Sequence, residues 1–253
     1  MSASFAISAT VKEVAASAPQ RRDRPNPDTA DDEATQITPA ISEANGAAEA
    51  CGAAAFAQEQ IRGLIRRVFF PGWPKASRQV VISSVDAKAD TAAICARIAR
   101  EMAAGLPGTV CVVEADRQCP GVPDRLLETR PKPVERGPAA CIRVEKNLWL
   151  AEPDSVFSSE NDGFDPVWLR TRLSELRRNF DYGLIHAPAA FLTDTIVLAQ
   201  LVDGLILAIQ EGKTHRAVAQ ATLMALKAAK VAVLGTVFMD RTFPIPPKIY
   251  QRL

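Results

Sequence analysis

FDYGLIHAPAAFLTDTIVLAQLVDGLILAIQEGKT, residues 180–214, decides how the fold is read. Residues 182–187 (YGLIHA) and 204–210 (GLILAIQ) are short apolar runs of strand composition, and an apolar helical segment at 194–201 joins them. A connection of that length suits a parallel pair rather than a hairpin. Strands without polar alternation are buried on both faces, so helices must cover the sheet on each side.

The same alternation continues in both directions. Downstream come a helix at 214–229 and the strand VAVLGTVFM at 231–239. Upstream lies a helix at 165–179, with Pro166 at its first helical position. Earlier still are a strand at 78–85 (RQVVISSV), a helix at 90–104, and a strand at 109–115 (TVCVVEA), with Gly105, Pro107 and Gly108 as punctuation. In FAQEQIRGLIRRVFF, residues 56–70, Ile61, Leu64, Ile65 and Val68 make one helical stripe that Pro71, Gly72 and Pro74 stop. The Pro-, Arg- and Gly-rich middle, 116–160, carries a short helix near 124–128 and weak strands near 140–142 and 148–150. The expected class is α/β: a doubly wound, mostly parallel sheet with helices on both faces. Ligands of such sheets sit beyond the carboxyl ends of the strands, so function is sought in the loops after Val85, Ala115, Ala187 and Gln210.

Residues 1–55 are rich in Ala, Ser, Thr, Pro and acidic residues and are expected to be a disordered arm. Residues 56–243 form the domain and 244–253 a proline-broken tail. The chain's 253 residues carry 30 Lys and Arg against 29 Asp and Glu, a balance that gives no electrostatic footprint for nucleic acid. The N-terminus has no secretory signal pattern, and no apolar run is long enough to span a membrane. Cys51, Cys95, Cys111, Cys119 and Cys141 form no CxxC pair and no zinc-like spacing with the histidines, which fits a reducing, cytoplasmic setting.

Residues 180–214 resemble the "FDYVIIDTPP" strand, alanine- and leucine-rich helix and "DGVLLVV" strand of the bacterial tyrosine kinases of exopolysaccharide and capsule biosynthesis, members of the P-loop NTPase superfamily. Phe180, Asp181, Tyr182, Pro188, Asp194, Asp203, Gly204 and Thr214 stand at family-like places. VVEADRQCPG, residues 112–121, is similar to the family's "LIDADLRRP", with Glu114 and Asp116 at its two acidic positions. The helix before the first strand is similar to a Glu-x2-Arg-x2-Arg pattern used there for ring-like self-association. Glu59 and Arg62 match it, while Ile65 takes the third place and Arg66 follows. The resemblance covers about 59–239. It implies a P-loop NTPase-like fold, a membrane polysaccharide co-polymerase or chain-length regulator as partner, self-association, and a place at the inner face of the cell membrane through that partner.

The chemistry departs from the family. A phosphate loop needs glycines for close backbone approach, a Lys for the β- and γ-phosphates, and a hydroxyl for Mg²⁺. Laid on the family's "TSxxPGEGKSTTAANLA", residues 83–99 read SSVDAKADTAAICARIA. Lys88 and Asp90 replace the glycines, Thr91 the lysine and Ala92 the hydroxyl. His186 stands at the acidic Walker B position, and imidazole is a poor Mg²⁺ ligand. No cofactor is therefore expected, and ATP with Mg²⁺ only if this loop still works. Tyr250 is the one candidate phospho-acceptor in the tail.

Each of these residues also has an ordinary reading. His186 suits a satisfied strand-end histidine. Glu114 and Asp116 suit loop caps as well as a vestigial metal site, and Glu59 with Arg62 suits a surface ion pair. Lys213 and Thr214 open a helix, with Thr214 as its cap. His215 faces solvent, Tyr250 packs, and Trp73, Trp149 and Trp168 are partly buried anchors. The expected function is a degenerate autokinase-like regulator of polysaccharide assembly. The alternatives are an active autokinase with an unusual loop and a partitioning-type ATPase-like scaffold; the absence of GxGxxG after the first strand sets a dinucleotide enzyme aside.

Overall fold

The computed structural model describes residues 8–10, 40–70, 76–117, 120–127, 137–151 and 165–240, with side chains from residue 55 onward. Tyr250, Trp73, Cys119 and the 244–253 tail lie outside the described residues.

Eight strands form one sheet: β1 (Ser8–Thr10), β2 (Gln79–Ser84), β3 (Val110–Glu114), β4 (Cys141–Glu145), β5 (Leu148–Ala151), β6 (Tyr182–His186), β7 (Gly204–Gln210) and β8 (Val233–Met239). Their order is β1-β8-β7-β2-β6-β3-β5-β4. The pairs among β2, β3, β5, β6, β7 and β8 are parallel, and the edge strands β1 and β4 are antiparallel. The helices are α1 (Ala40–Phe69), α2 (Thr91–Gly105), α3 (Val122–Leu127), α4 (Pro166–Asn179), α5 (Thr193–Leu201) and α6 (Arg216–Ala228). The fold is a doubly wound α/β sheet, mostly parallel and covered by helices on both faces.

Alternation along the strands splits the core into two layers. Val80 and Ile82 of β2 face α1 and α2, where Ile61, Leu64, Ile65 and Val68 supply the expected stripe. Val81 faces the other side, against Leu169 and Leu173 of α4 and Leu198 of α5. Every residue of β2 and β3 is buried, as a central parallel strand requires. Asp165 caps α4 by accepting from the Val167 amide at 2.8 Å, with Pro166 in the first turn.

Three expectations change. Helix α1 begins at Ala40, upstream of Phe56, and Ser8–Thr10 pairs with β8, so parts of the 1–55 segment take regular structure. The alanines there carry helix through propensity without an amphipathic stripe, which periodicity does not detect. Thr214 does not cap α6: His215 holds that position, exposed and without a side-chain cap bond. Thr214 Oγ1 instead accepts from the Gln210 amide at 2.9 Å and donates to Asp86 across the sheet edge. Arg62 pairs with Glu101 of α2 at 3.1 Å rather than with Glu59, while Ile65, at the third place of the self-association pattern, is buried in the core. Of the tryptophans, Trp149 packs 5.9 Å from Phe180, ring centre to ring centre, whereas Trp168 is 44 % exposed.

The family-like residues Asp181, Asp203 and Gly204 all lie at the amino ends of the strands. Asp203 Oδ2 accepts from the amides of Arg78 and Gln79 at 2.7 and 2.9 Å, and Oδ1 accepts from Arg177 at 3.1 Å. Asp181 Oδ2 accepts from the Thr109 amide at 2.8 Å. Gly204 is required by close approach, because a Cβ there would stand 2.5 Å from the carbonyl oxygen of Ala232 and 2.7 Å from Leu234 Cγ. Gly204→Ala is expected to lower unfolding free energy by about 2 kcal/mol through overpacking, measured by urea titration; an unchanged midpoint would show that β8 yields freely.

Candidate functional site

Strand β2 leaves the sheet between β6 and β7, and the loops that diverge there open a cleft. Its volume is about 290 Å³, and Lys88, Asp90, Thr91, Asp116, Arg125 and His186 are among the side chains lining it. The loop after β2 brings the four residues that replace the phosphate-loop chemistry, Lys88, Asp90, Thr91 and Ala92, to one wall.

Behind that wall lies a buried polar chain. Glu114 and His186 end adjacent parallel strands and are paired in register, so their side chains leave the same face of the sheet side by side. His186 Nδ1 lies 2.7 Å from Glu114 Oε1, and His186 Nε2 lies 2.8 Å from Thr91 Oγ1. Glu114, His186 and Thr91 are 1 %, 2 % and 5 % exposed, so these bonds form in the protein interior. Three amides also bond the Glu114 carboxylate: Oε1 accepts from the Asp116 amide at 2.9 Å, and Oε2 from the Gly121 and Val122 amides, each at 3.0 Å. Glu114 thereby ties the loop after β3 to the start of α3, one of its ordinary readings.

Because every other contact of the Glu114 carboxylate is from an N–H, Nδ1 of His186 is the donor toward it. When the imidazole carries its single proton on Nδ1, Nε2 presents a lone pair that can accept from the Thr91 hydroxyl.

Asp90 is the N-cap of α2, and its Oδ1 accepts from the Ala93 amide at 3.1 Å. Its other oxygen accepts from Arg125, reaching back from α3. The carboxylate therefore stands at the positive end of a fifteen-residue helix, flanked by a guanidinium. Nothing local in the sequence announces Arg125; only the fold brings α3 over the start of α2.

Lys213 lies 3.9 Å from Asp240, at the far side of the loop after β7. Asp116 lines the cleft, and Glu59 lies on the exposed face of α1, away from it. Cys95, directly under the site, has its thiol pushed well above the ordinary value by burial and by the nearby Glu114 charge, which makes it unreactive. Cys111 and Cys141 are free thiols with sulfurs 3.8 Å apart, and burial, with the Cys141 contact, raises Cys111 strongly.

Solved structures share this architecture. The BceF tyrosine kinase domain superposes with a TM-score of 0.53 at 17 % identity over 72 % of this chain and 77 % of its own. The kinase domain of the Escherichia coli tyrosine kinase ETK gives 0.52 at 14 % over 72 % and 74 %. A ParA family ATPase from Chlorobium tepidum gives 0.51 at 14 % over 64 % and 73 %. The chain has a P-loop NTPase-like fold. At these identities the likeness is one of fold. No family model matches the chain, and no curated protein matches its sequence. Within this frame, the cleft described above lies where β2 meets α2.

Proposed function

We propose that this chain is a non-catalytic relative of the bacterial tyrosine autokinases, acting without nucleotide as a regulator of a membrane chain-length or export protein in exopolysaccharide or capsule assembly. One observation carries the reading: the Asp90 carboxylate, bonded to the Ala93 amide and to Arg125, stands at the α2 N-terminus, where a P-loop protein holds phosphate. A triphosphate arriving there meets like charge and finds an amide donor already engaged. The donor set does not fit Mg-ATP: Thr91 hydrogen-bonds His186 instead of offering an ammonium, and Ala92 has no hydroxyl for a metal. Among the described residues no cluster of His, Cys, Asp or Glu is arranged to hold a metal ion.

A P-loop-like sheet can lose this chemistry without losing its fold, because the core layers rather than the loop hold it together. A surface partner then remains as the route to function. No described helix is long and apolar enough to cross a membrane, so the reading places the protein at the inner face of the membrane through that partner, with self-association through the exposed face of α1 around Glu59 as a further proposal.

Thermal melts with Mg-ATP test the reading. No shift is expected at millimolar nucleotide. A ligand at a hundred times its Kd adds about 2.7 kcal/mol, some 5–10 °C for a domain of this size, and a shift of that order would restore the active-autokinase alternative, with Tyr250 as acceptor. Recovery of a polysaccharide co-polymerase with the tagged protein from native membranes tests the partner. Localisation to the nucleoid or septum would instead favour the partitioning-type scaffold.

A further inference from the structure

We infer that Thr91, His186 and Glu114 form a hydroxyl–imidazole–carboxylate triad that makes Thr91 a nucleophile toward small acyl esters entering the cleft. The inference is independent of the nucleotide reading, which denies the chain kinase chemistry only, since it concerns what the replaced residues do rather than what was lost.

Three observations point to it. The spacing is that of an activated nucleophile: hydroxyl to Nε2 2.8 Å, Nδ1 to carboxylate 2.7 Å. The carboxylate is held in place, because the amides of Asp116, Gly121 and Val122 fix Glu114 as an acceptor facing Nδ1, which leaves Nε2 of a neutral imidazole as the base toward Thr91. The reacting end borders the cleft: Thr91 and His186 both line it, though they are only 5 % and 2 % exposed.

The step follows from those positions. Thr91 Oγ1 attacks the carbonyl carbon of the ester while its proton passes to His186 Nε2. The new Oγ1–C bond forms, the bond to the leaving alkoxide breaks, and His186 returns the proton to that alkoxide. Water, deprotonated by the same imidazole, then releases the acid and restores the hydroxyl, so an ester and water give an acid and an alcohol. Lys88 lines the same cleft, and Arg125 there is paired with Asp90. A volume of about 290 Å³ is at the small end for ligand pockets, and alanine side chains at 87, 89, 92, 187 and 189 line much of it, which suits an acetyl-sized acyl group.

The test uses the full chain with a fluorophosphonate and with p-nitrophenyl acetate. In the first reaction an Oγ1–P bond forms and fluoride leaves. The adduct is expected on Thr91, in the tryptic peptide spanning 89–97, with Thr91→Ser still labelled and Thr91→Val and His186→Gln unlabelled. Ester hydrolysis is expected to fall on the order of a hundredfold in Thr91→Val. A folded wild-type protein that takes no label at Thr91 overturns the proposal, as does hydrolysis unchanged in a folded Thr91→Val variant. If Thr91→Val does not fold, loss of both labelling and hydrolysis in folded Thr91→Ser overturns it. An ATP-induced melting shift would sink the nucleotide-free reading while leaving the labelling result to decide this one.

Discussion

Replacing Glu114 with Ala is expected to lower unfolding free energy by about 3–5 kcal/mol, the usual cost of removing one partner from a buried hydrogen-bonded polar set. Glu114 is 1 % exposed and accepts from His186 and from the Asp116, Gly121 and Val122 amides, so the substitution strands several donors in a space water does not readily reach. For a domain of this size the melting temperature would drop by about 10 °C. Glu114→Gln should recover little, because its NH₂ group would face N–H donors on one side. The contrast is Glu145, whose bond to Arg100 at 3.5 Å is half exposed and whose removal should cost under about 1 kcal/mol. Urea titrations of the variants decide it. A Glu114→Ala cost no larger than that of Glu145→Ala would mean that water replaces the carboxylate and that the polar chain is not a structural unit.

That chain also shows where sequence reasoning reached and where it stopped. The strands and helices of the domain were legible because each is an apolar run or stripe cut off by Gly, Pro or Asp, so local chemistry and global fold agree. The upstream half of α1 was not, since an alanine-rich segment helps a helix by propensity alone and shows no stripe. At the site, Asp90, Thr91, Glu114 and His186 could each be singled out from their places at the ends of strands, but only as substitutions for missing groups. Their joining depends on the register of β3 against β6 and on the first turn of α2 reaching the same point, contacts between residues 72 and 95 positions apart. Arg125 belongs to this class too: its partner Asp90 lies 35 positions away.

The opposite edge of the sheet gives the second large effect. Asp203→Ala is expected to cost about 3 kcal/mol at neutral pH, because the amides of Arg78 and Gln79 lose their acceptor and Arg177 loses its carboxylate. The loss should depend on pH in one direction. Burial alone would raise the Asp203 carboxyl, but the Gln79 and Arg78 amides and the Arg177 charge outweigh it and hold the carboxyl below its ordinary 3.8. A depressed acid favours the folded state above its unfolded pKa and loses that advantage as pH falls through the folded value. The difference between wild type and Asp203→Ala should therefore be constant from about pH 8 to pH 5 and shrink below about pH 4. A difference that holds steady, or grows, down to about pH 3 would rule out the carboxylate as its source. Because this clamp lies at the amino ends of the strands and the cleft at their carboxyl ends, a folded Asp203→Ala protein should label at Thr91 as wild type does. The residues by which this chain most resembles the kinases are thus members of the frame. Asp181 and Asp203 fasten strand starts and Gly204 lets β8 approach, so the resemblance can persist at that edge while the chemistry at the other edge changes.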